Sequence, residues 1–145
     1  MRLSTRSRYG TRLMLDIAKN SNSGAIQLND IAKRQDISVK YLEQIIIPLK
    51  KAKYVKSVRG AKGGYILGKP PCDVTVGEIV SLLEGGTGIC ECLEKPRICK
   101  KSNKCMTRKV WIEATNAMYE KLNSITLLNL MENNGGGEKK DFSCY

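Results

Sequence analysis

A mainly α-helical fold with one small β-hairpin and a long helix near the C-terminus is what this sequence predicts. Three observations predict it. Apolar residues recur at helical spacing in five separate stretches. A glycine-rich turn, GAKGG at 60–64, separates two short β-prone runs. The chain has 145 residues, 41% of them hydrophobic, which suits one domain, or one small domain plus an oligomerisation element.

The first helix is expected from about Thr5 to Asn20, opened by Ser4 or Thr5 as caps and ended by SNSG at 21–24. Leu28, Ile31 and Ala32 predict a short second helix with Asn29 or Asp30 near its start. After a tight turn at 35–37, Ser38 reads as the cap of a third helix carrying Tyr41, Leu42, Ile45, Ile46 and Leu49. Pro48 lies inside it; the pattern continues beyond, so a kink is expected rather than a break. The runs 54–59 and 65–67 read as two strands. Thr75 and Glu78 have capping-box spacing ahead of Ile79, Val80, Leu82 and Leu83, which predicts a fourth helix. Residues 85–104 read as a loop, and a long helix is expected from about Lys104 to Asn123. Its Trp111, Thr115, Met118, Leu122 and, just beyond, Ile125 fall at steps of four, three, four and three. A short helical turn is expected over 126–131 and a mobile tail over 132–145.

Charge is the first functional signal. The formal net charge is +11. Residues 1–70 hold 15 Lys/Arg against 4 Asp/Glu, whereas residues 71–145 hold 10 of each. The whole excess lies in the first half, which points that half toward a polyanion: nucleic acid first, an anionic membrane surface second. No apolar run approaches the ~20 residues of a spanning helix, so no membrane span is expected, and of the two polyanions the expected partner is nucleic acid and not a membrane. The N-terminus has no apolar signal segment, and the expected location is cytoplasmic. There is no histidine, which removes Ser-His-Asp and Cys-His catalysis and His-ligated zinc. With no catalytic constellation in view, no enzyme is expected.

Two short helices joined by a tight turn and followed by a hairpin make a winged helix-turn-helix. The second of them fits a DNA major groove. Ser38, Lys40, Tyr41, Glu43 and Gln44 lie on its first turns, with types able to meet phosphates or base edges. Arg59 and Lys62 flank glycines at the wing tip. Bland alternatives stand beside each. Tyr41 also suits a core ring, Lys50, Lys51, Lys53 and Lys56 a solvated face, and Glu43 an ion pair with a neighbouring lysine.

Cysteine is the second signal. Cys90, Cys92, Cys99 and Cys105 fall within sixteen residues, and such density without an export signal suits a soft metal or an iron–sulfur cluster more than a disulfide framework. Gaps of one, six and five residues do not match paired zinc knuckles. Lys95, Arg97, Lys100, Lys101 and Lys104 surround the thiols and are expected to lower their pKa values. Unliganded redox thiols are the alternative. Cys72 follows two prolines and reads as structural. The stripe on the long helix would be exposed on so small a domain; pairing with a second copy buries it, and packing onto the first helix is the alternative.

MRLSTRSRYG at the start, ISVKYLEQ at 37–44, SVRGAKGGYILG at 57–68, VGEI at 76–79 and the run C-x₆-C-x₅-C ahead of Trp111 resemble the IscR-type iron–sulfur regulators. These lie within the Rrf-two family of winged-helix transcription factors. The likeness runs from Met1 to about Met131. It implies a homodimeric regulator, mainly a repressor, binding a double-stranded DNA operator under the control of a 2Fe–2S cluster. It implies cluster-assembly genes as targets and iron–sulfur assembly proteins as cluster donors. By position it implies Cys92, Cys99 and Cys105 as ligands, with Ser38, Tyr41, Glu43, Gln44 and Arg59 as DNA contacts. Two departures stand out. The first cysteine gap is six residues where the pattern has five, and the family's histidine position holds Arg108. The carboxylate that nitric-oxide-sensing relatives use has its counterpart in Arg8. The candidates for a fourth ligand are then Cys90 first, followed by Glu91, Glu84, Cys144 and a carboxylate from a second protomer. CymR-type relatives keep the fold without a cluster, so sensing by thiol oxidation or by a protein partner is the alternative function. A small iron–sulfur redox carrier is the more distant one. The expected division is a DNA-binding domain over 1–84, a cysteine loop over 85–104, a dimerisation helix over 105–131 and a tail over 132–145.

Overall fold

A computed structural model describes residues 2–133. Its first helix, α1 (Thr5–Lys19), starts where Ser4 accepts a hydrogen bond from the Ser7 amide, and a 3₁₀ turn at 21–23 follows it. α2 (Leu28–Gln35) begins one residue ahead of the expected Asn29. It has Gln27 at its cap and no side-chain cap bond. Asp36 takes the left-handed conformation at φ 54° and turns the chain into α3 (Val39–Lys51), which Ser38 caps through the Tyr41 amide at 3.2 Å. α3 runs through Pro48 unbroken.

β1 (Val55–Val58) and β2 (Gly64–Leu67) pair antiparallel, Val55 opposite Leu67 and Val58 opposite Gly64. β1 is one residue shorter at each end than the expected run 54–59, and β2 is one residue longer than 65–67 because Gly64 joins it. Tyr65 also exchanges two backbone hydrogen bonds with Ile26, at 2.8 and 2.9 Å, so the hairpin is stitched to the segment before α2. Gly64 makes this approach feasible: at φ 154° it leaves room where a Cβ would lie 2.5 Å from the Ile26 carbonyl oxygen. The expected capping box is present at α4 (Val76–Glu84). Thr75 accepts from the Glu78 amide and Glu78 accepts from the Thr75 amide.

The expected loop contains one short helix, α5 (Glu91–Glu94), and two 3₁₀ turns. α6 (Met106–Asn123) is the long helix. α7 (Leu127–Asn133) is longer than the expected turn, and Thr126 and Asn129 close its start reciprocally. Glu132 and Asn133, placed in the expected mobile tail, are the last residues of α7; the rest of that tail, with Cys144, lies outside the described residues. No helix among the described residues is long and apolar enough to cross a membrane.

One core gathers these helices. Leu13, Met14 and Ile17 of α1 meet Ile31 of α2, Leu42, Ile45 and Leu49 of α3, Ile79 and Leu83 of α4, and Leu127 of α7. α1 packs most tightly on α4. A Cβ on Gly10 would run into the Leu83 side chain and sit 3.3 Å from Ile45, so glycine sets the approach of three helices. The long helix does not pack back on α1 as the alternative reading had it. It lies against α4, with Thr115 and Tyr119 buried there.

Candidate nucleic-acid interface and cysteine loop

α3 is two-faced because its apolar residues recur at helical spacing. Leu42, Ile45, Ile46 and Leu49 are buried, and Lys40, Glu43 and Gln44 are left exposed beside the Ser38 cap. Glu43 does not fold back on a lysine: the one ion pair among the described residues is Arg34–Asp16. Tyr41 is half-buried and meets Tyr9 of α1 edge-on, with ring centres 5.9 Å apart at 83°. Arg12 lies 5.4 Å over the Tyr9 ring and donates to the side chain and carbonyl of Gln35. Tyr41 therefore has the ring packing of the bland reading while standing at the edge of the exposed face.

A buried carboxylate holds the helix-turn-helix in register. Asp16 is 4% exposed. It accepts from Arg34 Nη2 at 2.6 Å and Nε at 3.1 Å, from Gln35 Nε2 at 2.8 Å and from Asn20 Nδ2 at 3.2 Å. The hydrogen bond to Asp16 raises the Arg34 pKa further. The clamp fastens the end of α2 to α1, immediately before the turn that launches α3. Nothing local in the sequence announces it, because the partners are 18 and 19 residues apart.

Arg59 and Lys62 are both exposed at the wing tip, where the Gly63 amide donates to the Gly60 carbonyl at 2.9 Å. A further cation and an apolar residue join the exposed α3 face, and the sequence reading passed over both. Arg6 of α1 lines a shallow hollow with Tyr41, Gln44, Ile47 and Pro48, and Ile47 is 64% exposed. The signal for Ile47 was its spacing: 40, 44, 47 and 51 form one line along the helix.

The cysteine loop leaves the end of α4. There burial pushes Glu84 up in pKa, but hydrogen bonds from Ser7 and from the Ser4 amide, the latter at 2.8 Å, outweigh it and hold the carboxyl low. The loop is tied by Gly88 donating to Glu94 at 2.7 Å, by Tyr119 donating to the Gly86 carbonyl at 3.3 Å, and by Arg108 reaching the Cys92 carbonyl at 3.4 Å. Cys90, Cys92, Cys99 and Cys105 are free thiols, each half-buried, and Cys72 is disulfide-bonded. Among the described residues no three Cys, Asp or Glu side chains come together as a metal site. The lowering expected from the surrounding lysines fails at Cys90, and at Cys105 it has other causes. Cys105 is lowered, first by the Thr107 hydroxyl 3.3 Å away and then by the neighbourhood of Arg108. Cys90 is raised, by desolvation and then by the adjoining Cys92 thiol.

Of the stripe on α6, Trp111 is exposed, Thr115 is buried under α4, and Met118, Leu122 and Ile125 are half-buried. Met106 and Val110 add to the exposed apolar surface at the start of the helix.

The model of the Rrf2 family, described as iron-dependent transcriptional regulators, matches residues 3–133. Protein rrf2 of Nitratidesulfovibrio vulgaris is 49% identical over 131 residues, covering 90% of this chain and 87% of that protein. The HTH-type transcriptional regulator IscR of Escherichia coli is 41% identical over 133 residues, covering 92% and 82%. The solved structure of CymR, the global cysteine regulator of B. subtilis, superposes with a TM-score of 0.77 at 38% identity, covering 93% of this chain and 99% of that one.

Proposed function

The chain belongs to the Rrf2 family, whose members are transcriptional regulators and not enzymes, and from that premise we propose a cytoplasmic homodimer that represses genes of iron–sulfur cluster assembly. The observation that carries the DNA half is α3: one face buried in the core, the other exposing Ser38, Lys40, Glu43 and Gln44 from a capped first turn. In this reading α3 enters the major groove. Gln44 suits an adenine edge and Glu43 a cytosine amine. Ser38, Lys40 and Tyr41 meet the backbone, and Arg59 and Lys62 carry the wing to a phosphate or the minor groove. The α6 stripe from Trp111 to Ile125 pairs with its copy.

The sensing half rests on the loop. Cys92, Cys99 and Cys105 supply free, reachable thiols of the type a 2Fe–2S cluster takes, so the donor chemistry fits. Cys90, which already interacts with the Cys92 thiol, is the fourth ligand, since Arg108 is permanently protonated and cannot serve. The cluster, when bound, makes occupancy of the loop depend on cluster supply, with assembly proteins as donors. The arrangement of the loop also favours a second reading. Among the described residues no three thiols are gathered, and the CymR fold matches closely; these favour a regulator that senses by thiol oxidation or through a protein partner.

The experiment has two parts. With ~8 phosphates met by a dimer, the slope of log K against log salt is about −7. Arg59→Ala is expected to weaken operator binding by at least ~1 kcal/mol. A salt-independent affinity, or an unchanged one in that mutant, refutes the DNA face. Anaerobically purified protein should carry colour, iron and sulfide that are lost in both Cys90→Ala and Cys92→Ala. Colourless wild-type protein selects the second reading, and a wild-type spectrum in Cys90→Ala removes Cys90 from the ligand set.

A further inference from the structure

The exposed line along α3 is Lys40, Gln44, Ile47 and Lys51. Three of its four members are charged or amide side chains, as a face meeting a polyanion or water should be. Ile47 is not, and it is 64% exposed. Single exposed apolar side chains are ordinary on protein surfaces. What distinguishes this one is its setting. It shares a hollow with Gln44, Tyr41 and Pro48 of its own helix and with Arg6, contributed by α1. The hollow thus presents an apolar wall of Ile47 and Pro48, an amide that can pair with an adenine edge, and a cation at its rim. The base-pair feature that an apolar wall recognises in the major groove is the C5-methyl of thymine, and the amide partner suited to Gln44 lies on adenine.

We infer that Ile47 is a specificity-determining residue that reads a thymine methyl in each half-site, next to the base read by Gln44, with Arg6 on the adjoining phosphate. The inference rests on the DNA reading above and adds a base identity to it. Ile47 is three residues beyond Gln44, a rise of about 4.5 Å along the helix against about 3.4 Å per base pair, which brings it to a neighbouring base pair. Its side chain holds no hydrogen-bonding atom, so its discrimination is between a methyl and none, and it gives no preference between guanine and cytosine.

The test uses the full-length protein and an operator selected by it from random duplexes. Each thymine in turn is replaced by deoxyuridine, which deletes the methyl and leaves every hydrogen-bonding group. One thymine per half-site is expected to be sensitive. Withdrawing one methyl contact costs about fourfold in affinity, or about fifteenfold when both half-sites are changed. Ile47→Ala, which removes the contact in both half-sites, should bind the thymine operator about fifteenfold more weakly and be indifferent to deoxyuridine at that position. Ile47→Val should keep most of the sensitivity. Because Ile47 is exposed, neither variant removes a core side chain. If no thymine is sensitive, or if Ile47→Ala keeps the wild-type sensitivity, Ile47 is not the reader. Failure to enrich any duplex refutes the DNA reading itself, and Ile47 falls with it.

Discussion

Replacing Asp16 by alanine tests whether the buried clamp holds the helix-turn-helix together. The carboxylate is 4% exposed and takes hydrogen bonds from Arg34, Gln35 and Asn20. Breaking a buried ion pair costs ~3–5 kcal/mol when the survivor is a buried charge. Here the survivor is Arg34, whose side chain is 41% exposed and can turn to water, so the low end applies, about 3 kcal/mol. The reciprocal variant Arg34→Ala leaves the buried Asp16 with only Gln35 and Asn20, and it should cost at least as much. For a chain of this size, 3 kcal/mol lowers the melting temperature by roughly 10 °C. Urea and thermal unfolding of both variants measure this. Operator affinity should fall with stability, because the clamp ends at the turn that launches α3. A loss below ~1 kcal/mol in Asp16→Ala, or a smaller loss in Arg34→Ala than in Asp16→Ala, refutes the reasoning.

Gly10→Ala should destabilise by about 1 kcal/mol in urea unfolding: overpacking against Leu83 and Ile45 exceeds the gain in helix propensity. A stabilised variant would show that α1 and α4 separate freely. Glu78 and Glu84 are both held below the ordinary carboxyl value, in each case because hydrogen bonds outweigh burial: from Thr75 and Tyr54 for Glu78, from Ser7 and Ser4 for Glu84. Their contribution is therefore complete above the unfolded value of about 4.5 and is lost as pH falls through the folded values. Stability of the wild type should drop below pH 4.5 more steeply than that of Glu78→Gln, as unfolding between pH 6 and pH 3 measures. If the α6 stripe pairs with its copy as proposed, Met118→Asp should yield a monomer in sedimentation, since a carboxylate set into that apolar contact has no partner. An intact dimer would mean that the stripe is satisfied inside one chain.

What the sequence made legible was what local chemistry decides. Ser38 and the Thr75–Glu78 pair are caps by residue type and spacing, and both are present. The hairpin followed from glycines between β-prone runs. The start of α2 was displaced because the chain there is fixed from a distance: Ile26 pairs with Tyr65, and the helix begins two residues later without a side-chain cap. α5 is four residues long, shorter than a helical period can register. On α6 the apolar stripe was visible, but not which side meets α4; the buried pair is Thr115 with Tyr119, and Tyr119 lay off the stripe. Cysteine spacing located the loop thiols without bringing three of them together, since side-chain proximity in an irregular segment is not set by sequence interval.

The same long-range contacts explain how the two ends of the molecule are joined. α1 begins where Ser4 donates its amide to Glu84, the last residue of α4 and the root of the cysteine loop. Midway, Gly10 lets α1 press on Leu83 and Ile45. Beside it Tyr9 meets Tyr41 of α3, and one turn nearer the start Arg6 borders the hollow with Gln44 and Ile47. Toward its end, Asp16 grips Arg34 and Gln35 at the close of α2. A displacement of the loop root by an ångström must either break the Ser4–Glu84 bond or move α1. Because close-packed helices shift as units rather than deform, moving α1 carries Arg6, Tyr9 and Asp16 together. The exposed face of α3 is thus held from both ends by the helix whose first residues are fastened to the loop.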